Sequence, residues 1–391
     1  MSKKRIVLLF VDWYSPGYKA GGPITSCVNL VEHLSDEFEF RIVTRNCDYT
    51  ETLPYTDIPP DCWIQMPDGN SIYYFSSVNL NASNVFSLMA KTTFDIVYLN
   101  SLYSLYFTLL PLIKLRLDKS KRPVILATRG MLAQSAIRVK KAKKKIFLSA
   151  ARLTGLFRSV VFHATTEEEK RDIHCEFGNK YKILVAGNLH SKNILFSNPS
   201  RNKTSGSLML VSVARIAPEK NLEFALSLLK NLEVSTIQMD IYGPIYDASY
   251  WARCQEIIPL LPKGITVNYL GSLPSEDVQV KLGTYHFLFM PTLGENFGHI
   301  ILQAMGAGCP VIISDRTPWR GLKMEKCGWD IPLSRPELFE QVLTECCLLS
   351  QETYNEMSYN ASQYANRFRT NSAAEEESRN LFRQVMVSEK D

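Results

Sequence analysis

Several features that mark other protein classes are missing from this chain. Its nine cysteines include no C-x-x-C pair and are odd in number, so neither a zinc ribbon nor a disulfide scaffold fits. Several of them sit in apolar runs, which predicts mostly buried, reduced thiols. No Asp-x-Asp triplet occurs to hold a divalent ion on a diphosphate, and the residue pattern predicts no metal site. The apolar run Ile6–Val11 leads to no G-x-G-x-x-G, which disfavours a dinucleotide-binding dehydrogenase. That run is also too short for a signal peptide and meets Asp12. The most apolar stretch, Leu99–Leu115, is broken by Ser101, Ser104 and Lys114 and falls short of the roughly 20 residues a spanning helix needs. A net charge of +5 over 391 residues is too mild to make nucleic acid the default partner.

What is present is a long alternation of buried-strand and helical patterns. With 46% apolar and 21% charged residues, the composition is that of a cytoplasmic globular protein of two or three domains. Continuous apolar runs at Ile6–Val11, Phe40–Thr44, Ile72–Phe75, Ile96–Asn100, Val124–Ala127 and Val160–His163 predict a first parallel sheet. A second series follows at Leu208–Val213, Gln238–Tyr242, Ile265–Tyr269, Phe287–Met290 and Val311–Ile313. Between the two series the chain turns polar and aperiodic. The expected division is a first domain over 1–196, a linker over 197–207 and a second domain over 208–370. A C-terminal helix over 371–391 is expected to pack back on the first domain. The fold class is α/β, with two Rossmann-like domains.

Chemistry concentrates at the ends of second-series strands. Leu208–Val213 is followed by Arg215 and then Lys220, two cations suited to a diphosphate: Arg as a bidentate fork, Lys as a mobile point charge. The same pair also fits an ordinary solvated turn. After Phe287–Met290 comes Gly294-Glu295-Asn296-Phe297-Gly298-His299-Ile300, with helical spacing from near Phe297 through Ile300, Ile301, Ala304 and Met305. The N–H groups of Asn296 to Ile300 would then face outward from a helix N-terminus at the carboxyl end of a strand, a ready anion site.

Taken in order, these motifs resemble the donor domain of family 4 glycosyltransferases, the glycosyl transferases group 1 of GT-B fold. The likeness extends through Ile241-Tyr242-Gly243-Pro244, Gly271-Ser272-Leu273-Pro274 and Ser314–Trp319. It includes Tyr18-Lys19-Ala20-Gly21-Gly22-Pro23 after the first strand. The resemblance implies two domains facing a cleft and a retaining transfer from a nucleoside-diphosphate sugar without metal. Arg215 and Lys220 would neutralise the phosphates, and Glu295 would hold hydroxyls of the donor sugar. Asn296, Phe297, Gly298, His299 and Ile300 would bind the donor through backbone N–H groups. Gly21 and Gly22 would let the backbone approach the donor. Gly243 and Leu273 stand where the family places the nucleobase, or simply in turns.

Three departures from the family pattern stand out. Gln303 occupies the place of a second carboxylate directed at the ribose, which weakens that contact by about 1–2 kcal/mol. A donor-binding but catalytically weak paralogue is therefore the alternative to an active enzyme. Arg129, in Thr128-Arg129-Gly130, replaces a His-Gly pair and reads either as a contact to a phosphate or anionic acceptor or as a surface arginine. Ala186-Gly187-Asn188 replaces Pro-Asn-Gly in a turn. Finally, Arg138–Phe147 is densely basic, and Val139, Ala142, Ile146, Ala150 and Leu153 share one helical face. Residues 138–153 thus form either a surface helix or a peripheral membrane contact, the latter suiting a lipid-linked glycan acceptor.

Overall fold

The computed structural model describes residues 4–133, 141–192, 201–232 and 236–387. The chain forms two compact units, Met1–Lys192 with Ser372–Asp391, and Asn193–Asn371. The first is built on an eight-stranded sheet of order β3-β4-β2-β1-β5-β6-β7-β8. Its strands are β1 Arg5–Phe10, β2 Phe38–Arg45, β3 Trp63–Gln65, β4 Ser71–Phe75, β5 Ile96–Leu99, β6 Val124–Ala127, β7 Val160–Ala164 and β8 Ile183–Val185. All pairings are parallel except β3 with β4. The inner strands are buried on both faces, which is why they read as unbroken apolar runs. One face packs Leu8, Phe10 and Val43 with Phe107 and Phe162. The other packs Val7, Leu9, Phe40 and Tyr98 with Leu30 and Phe382.

The second unit holds six parallel strands in the order β11-β10-β9-β12-β13-β14. They span β9 Ser207–Val213, β10 Thr236–Tyr242, β11 Ile265–Tyr269, β12 Phe287–Met290, β13 Val311–Ser314 and β14 Gly328–Ile331. Counted in chain order this is 3-2-1-4-5-6, the doubly wound arrangement. The central six strands of the first sheet repeat it. In such a sheet the connections leave in opposite directions on either side of the first strand. A crevice therefore opens at the carboxyl ends of its two middle strands. That switch point falls between β1 and β5 in the first unit and between β9 and β12 in the second.

The C-terminal helix Ala373–Val387 belongs to the first unit. Phe382 stacks on Tyr98 at 5.7 Å and meets Phe38 at 5.2 Å. Arg379 donates to the His33 carbonyl at 2.8 Å, Arg383 reaches Glu37 at 2.7 Å, and Glu375 bonds the His33 ring at 2.7 Å.

Some expectations need adjusting. Three strands went unread: β3 and β8 have three residues each, and β14 carries Gly328 and Asp330. Within the stretch read as a linker, 197–200 lie outside the described residues, but Arg201 is buried in the second unit. Its guanidinium donates to the carbonyls of Gly283, Ala307 and Gly308, and to Tyr354 Oη at 2.7 Å. The basic segment forms the helix Lys141–Leu153, with 138–140 outside the described residues. It seats on the core through Leu148 and Ala151, while Ile146 and Leu153 are 71% and 89% exposed. The apolar face read from the spacing is thus the outward one. Among the described residues no helix is long and apolar enough to cross a membrane.

Candidate active site

In the second unit, Arg215 follows β9 and Glu295 follows β12, so the two flank the switch point. The β9 exit is fixed by a close backbone approach. Ala214 N donates to Tyr242 O at 2.9 Å, and a Cβ at Gly243 would lie 1.9 Å from the Ala214 oxygen. Only glycine fits beside the residue that aims Arg215. Gly243 N in turn donates to Gly271 O at 2.8 Å, and Tyr269 Oη donates to Gly243 O at 2.9 Å. These bonds bring the Gly243 turn and the Gly271–Pro274 loop, with half-buried Leu273, to one edge.

Lys220 closes a 3-10 turn, Pro218–Lys220, braced from the β12 side. Thr292 Oγ1 and Leu293 N both donate to Glu219 O at 2.9 Å, and Asn221 Nδ2 donates to Pro291 O at 2.9 Å. Glu295 N donates to Arg316 O at 2.9 Å. The result is an ion pair between Lys220 Nζ and Glu295 Oε1, both side chains more than four-fifths buried. Arg215 lies beside it in sequence, 3.3 Å from Glu219 and with its guanidinium 5.4 Å from the Tyr246 ring centre. Thr292 and Asn221, which set this geometry, escaped the sequence reading. They act through backbone carbonyls, for which no residue spacing is a signal.

The helix after Glu295 spans His299–Gly306, two residues later than expected. Gly298, at φ 77°, turns the chain into it, and a Cβ there would meet Ile301 Cδ1 at 2.8 Å. Asn296, Phe297 and Gly298 are therefore loop, and Gly298 at the cap position offers no side chain to the first turn. Phe297 is spent on packing: its ring lies 5.4 Å from Trp319 and 5.7 Å from Phe368, and its carbonyl accepts from Trp319 Nε1 at 2.6 Å. Its ring also lies 4.6 Å from that of His299. Ile300 is half-buried at the helix start, and Gln303 half-buried one turn further along.

In the first unit, Gly21 caps the helix Gly22–Leu34 at φ 69°, and a Cβ on Gly21 or Gly22 would meet no atom within 4 Å. The preceding loop is held by Asp48, which accepts from the N–H groups of Tyr18 at 2.9 Å and Tyr49 at 2.7 Å. Arg129 is not a free surface arginine. It donates to Asn100 Oδ1 at 2.6 Å, Asn188 Oδ1 at 2.8 Å and Tyr98 Oη at 2.8 Å. Tyr98 Oη also bonds His163 Nδ1 at 2.9 Å, while His163 Nε2 meets Ala186 O at 2.9 Å. Burial, with the nearby Arg129 charge, lowers the His163 pKa to about 4. Arg129 is the half-buried hub of a polar network. Glu169 completes that core, accepting from Thr128 Oγ1 and Gly130 N at 2.6 Å and from Thr165 N at 2.7 Å.

The fold is that of GT-B glycosyltransferases. Residues 193–364 match the family model for glycosyl transferases group 1. A search of curated proteins by sequence found no match. The fold is similar to that of sucrose-phosphate synthase from Thermosynechococcus elongatus, with a TM-score of 0.71 at 14% identity, covering 99% of this chain and 100% of that one. It is similar to an α,α-trehalose-phosphate synthase (UDP-forming) from Burkholderia vietnamiensis, with a TM-score of 0.68 at 9% identity over 99% and 98% of the two chains. It also resembles Anabaena HepE in complex with UDP-glucose, with a TM-score of 0.65 at 14% identity over 97% and 99%.

Proposed function

We propose that this is a retaining enzyme of the family 4 type, transferring a sugar from a nucleoside diphosphate to a glycan. The observation that carries the reading is the Lys220–Glu295 pair at the second unit's switch point, with Arg215 on the adjoining strand exit. Without donor, the ammonium and carboxylate satisfy one another. When a diphosphate arrives, its oxygens replace the carboxylate on Lys220 and Arg215. Glu295 is then released to accept hydrogen bonds from the sugar hydroxyls. As the bond between the anomeric carbon and the diphosphate oxygen breaks, negative charge grows on the leaving group, and the two fixed cations stabilise it. The acceptor hydroxyl attacks from the same face and passes its proton to the departing phosphate, so configuration is retained. In this scheme the two cations carry the neutralising charge and a metal ion is not required. The HepE complex with UDP-glucose makes uridine the first base to test.

The acceptor in this proposal is a lipid-linked precursor of a surface polysaccharide, met by a cytoplasmic enzyme resting on the inner membrane face. The outward helix Lys141–Leu153 supports this, with Ile146 and Leu153 exposed beside Lys143, Lys145 and Arg152. Co-sedimentation with phosphatidylglycerol vesicles should fall sharply on reversing the charge of Lys143 and Lys145; unchanged binding would remove the membrane contact. For the chemistry, the test is a panel of UDP-, GDP- and ADP-sugars in EDTA with the product anomer read by NMR. Retained configuration with one donor class supports the mechanism, and an inverted product refutes it.

A further inference from the structure

The charges of the candidate site pair off: Lys220 with Glu295, and Arg215 with Glu219, where Arg215 Nη2 lies 3.3 Å from Glu219 Oε1. The two pairs differ in exposure. The Lys220 and Glu295 side chains are 18% and 14% exposed, those of Arg215 and Glu219 31% and 33%. Both ends of the second pair are therefore within reach of a ligand. Glu219 is placed by its own main chain. Pro218 opens the 3-10 turn Pro218–Lys220, and the Glu219 carbonyl accepts from Thr292 Oγ1 and Leu293 N, both at 2.9 Å. From that fixed point its carboxylate reaches back four residues to Arg215. Arg215 also has a neutral seat, with its guanidinium carbon 5.4 Å from the Tyr246 ring centre. Tyr246 is kept there by Ile216 O, which accepts from Tyr246 N and Asp247 N at 3.1 Å. An aromatic face holds a cation without setting a negative charge against an incoming anion. Arg215 can thus give up Glu219 and keep its place on Tyr246.

We infer that Glu219 competes with the nucleoside diphosphate for Arg215 and thereby speeds release of that product. The inference rests on the glycosyltransferase reading and adds the step that follows transfer. Donor and product place different demands on the two carboxylates. In the proposed scheme Glu295 exchanges Lys220 for hydroxyls of the donor sugar, so donor binding compensates it. Glu219 sits on the turn that carries the phosphate-neutralising cations and gains no such partner. After transfer the sugar is gone. The proton taken up by the phosphate is lost to solvent near neutral pH, which leaves one more negative charge than the donor carried. Arg215 and Lys220 attract that ion more strongly than the donor, which would slow turnover. A carboxylate 3.3 Å from Arg215 opposes this twice, by reclaiming the guanidinium and by repelling the anion. An exposed pair of this kind shifts an equilibrium by up to about fivefold, enough to hasten release without preventing donor binding.

The test is calorimetric titration of UDP, GDP and ADP into the full chain and into Glu219→Gln, which keeps the side chain's shape and removes its charge. The nucleotide that binds the wild type should bind the variant about three- to fivefold more tightly at about 50 mM salt. Most of that gain should vanish at about 500 mM. In stopped-flow displacement it should appear as slower dissociation. Introduced into Arg215→Ala, the same change should give no gain. Glu223→Gln removes a carboxylate from the next helix, where it pairs with Arg253, and should leave affinity within about twofold. Should Glu219→Gln not fold, Glu219→Ala is read in its place with the same expectation. Weaker binding would make Glu219 a support for Arg215 and overturn the inference, and unchanged affinity would overturn it too. An equal gain in Glu223→Gln would assign the effect to bulk charge, with the same consequence. If Arg215→Ala loses binding while Glu219→Gln gains none, the inference falls and the donor site stands. No binding by the wild type would instead count against the donor site itself.

Discussion

Arg129 and Arg215 each lie two residues beyond a parallel strand, β6 in the first unit and β9 in the second, yet their surroundings differ sharply. Arg129 has three side-chain oxygen acceptors within 2.8 Å, all in the first unit. Arg215 lies 3.3 Å from one carboxylate, with about a third of its side chain exposed. A guanidinium held in three short bonds organises the protein. One with a longer ion pair and a third of its side chain exposed can, in the proposed mechanism, exchange that pair for a diphosphate at little cost. What separates the two cations is therefore how short and how enclosed their bonds to the neighbouring loops are.

The comparison can be broken most sharply from the second unit. Lys220→Ala, and separately Arg215→Ala, should lower transfer by about 10²- to 10³-fold in a protein that still unfolds cooperatively. A variant of either kind with near-normal turnover would put the cations outside the mechanism. In the first unit the balance reverses. Arg129→Ala strands the oxygens of Asn100, Asn188 and Tyr98 and should cost about 3 kcal/mol in urea unfolding. A loss below about 1 kcal/mol would return Arg129 to the pool of ligand-binding candidates.

Acid offers a further test of the same polar core. His163 titrates near 4 in the fold against an ordinary 6.5, so its neutral form is the one the fold accepts. Above pH 6.5 the ring is neutral in both states and its contribution is complete. Between 6.5 and about 4 the unfolded chain takes up a proton that the folded chain refuses, and stability drains by about 3 kcal/mol. His163→Asn should flatten that slope, and an unaltered slope would place the acid sensitivity elsewhere. The smallest effect belongs to Gln303→Glu, which should raise donor affinity by up to about tenfold. A much larger gain in turnover would point instead to a weakened paralogue whose site the substitution repairs.

The long buried strands were legible because parallel strands between two helical layers must be apolar along their whole length. β3, β8 and β14 were not, being three-residue edges or a strand carrying Gly328 and Asp330. The cation and glutamate positions of the second unit were also legible, since charged groups just past an apolar run are conspicuous. Their bracing was not: Thr292 and Asn221 hold the Lys220 turn through carbonyls that any residue could offer. The bonds of Arg129 were hidden for a related reason, because Asn100 and Asn188 reach it from distant points in the chain. In the helix Lys141–Leu153, spacing found an apolar stripe but not its direction. Burial of Leu148 and Ala151 is set by tertiary packing.

The central claim is that the Lys220–Glu295 pair marks a nucleoside-diphosphate site. Calorimetric titration of UDP, GDP and ADP, in EDTA, into the wild type and Lys220→Ala tests it most directly. The account predicts that one of the three binds the wild type and loses at least about tenfold in affinity to the substitution. No binding by any of them, or binding indifferent to Lys220, would contradict it.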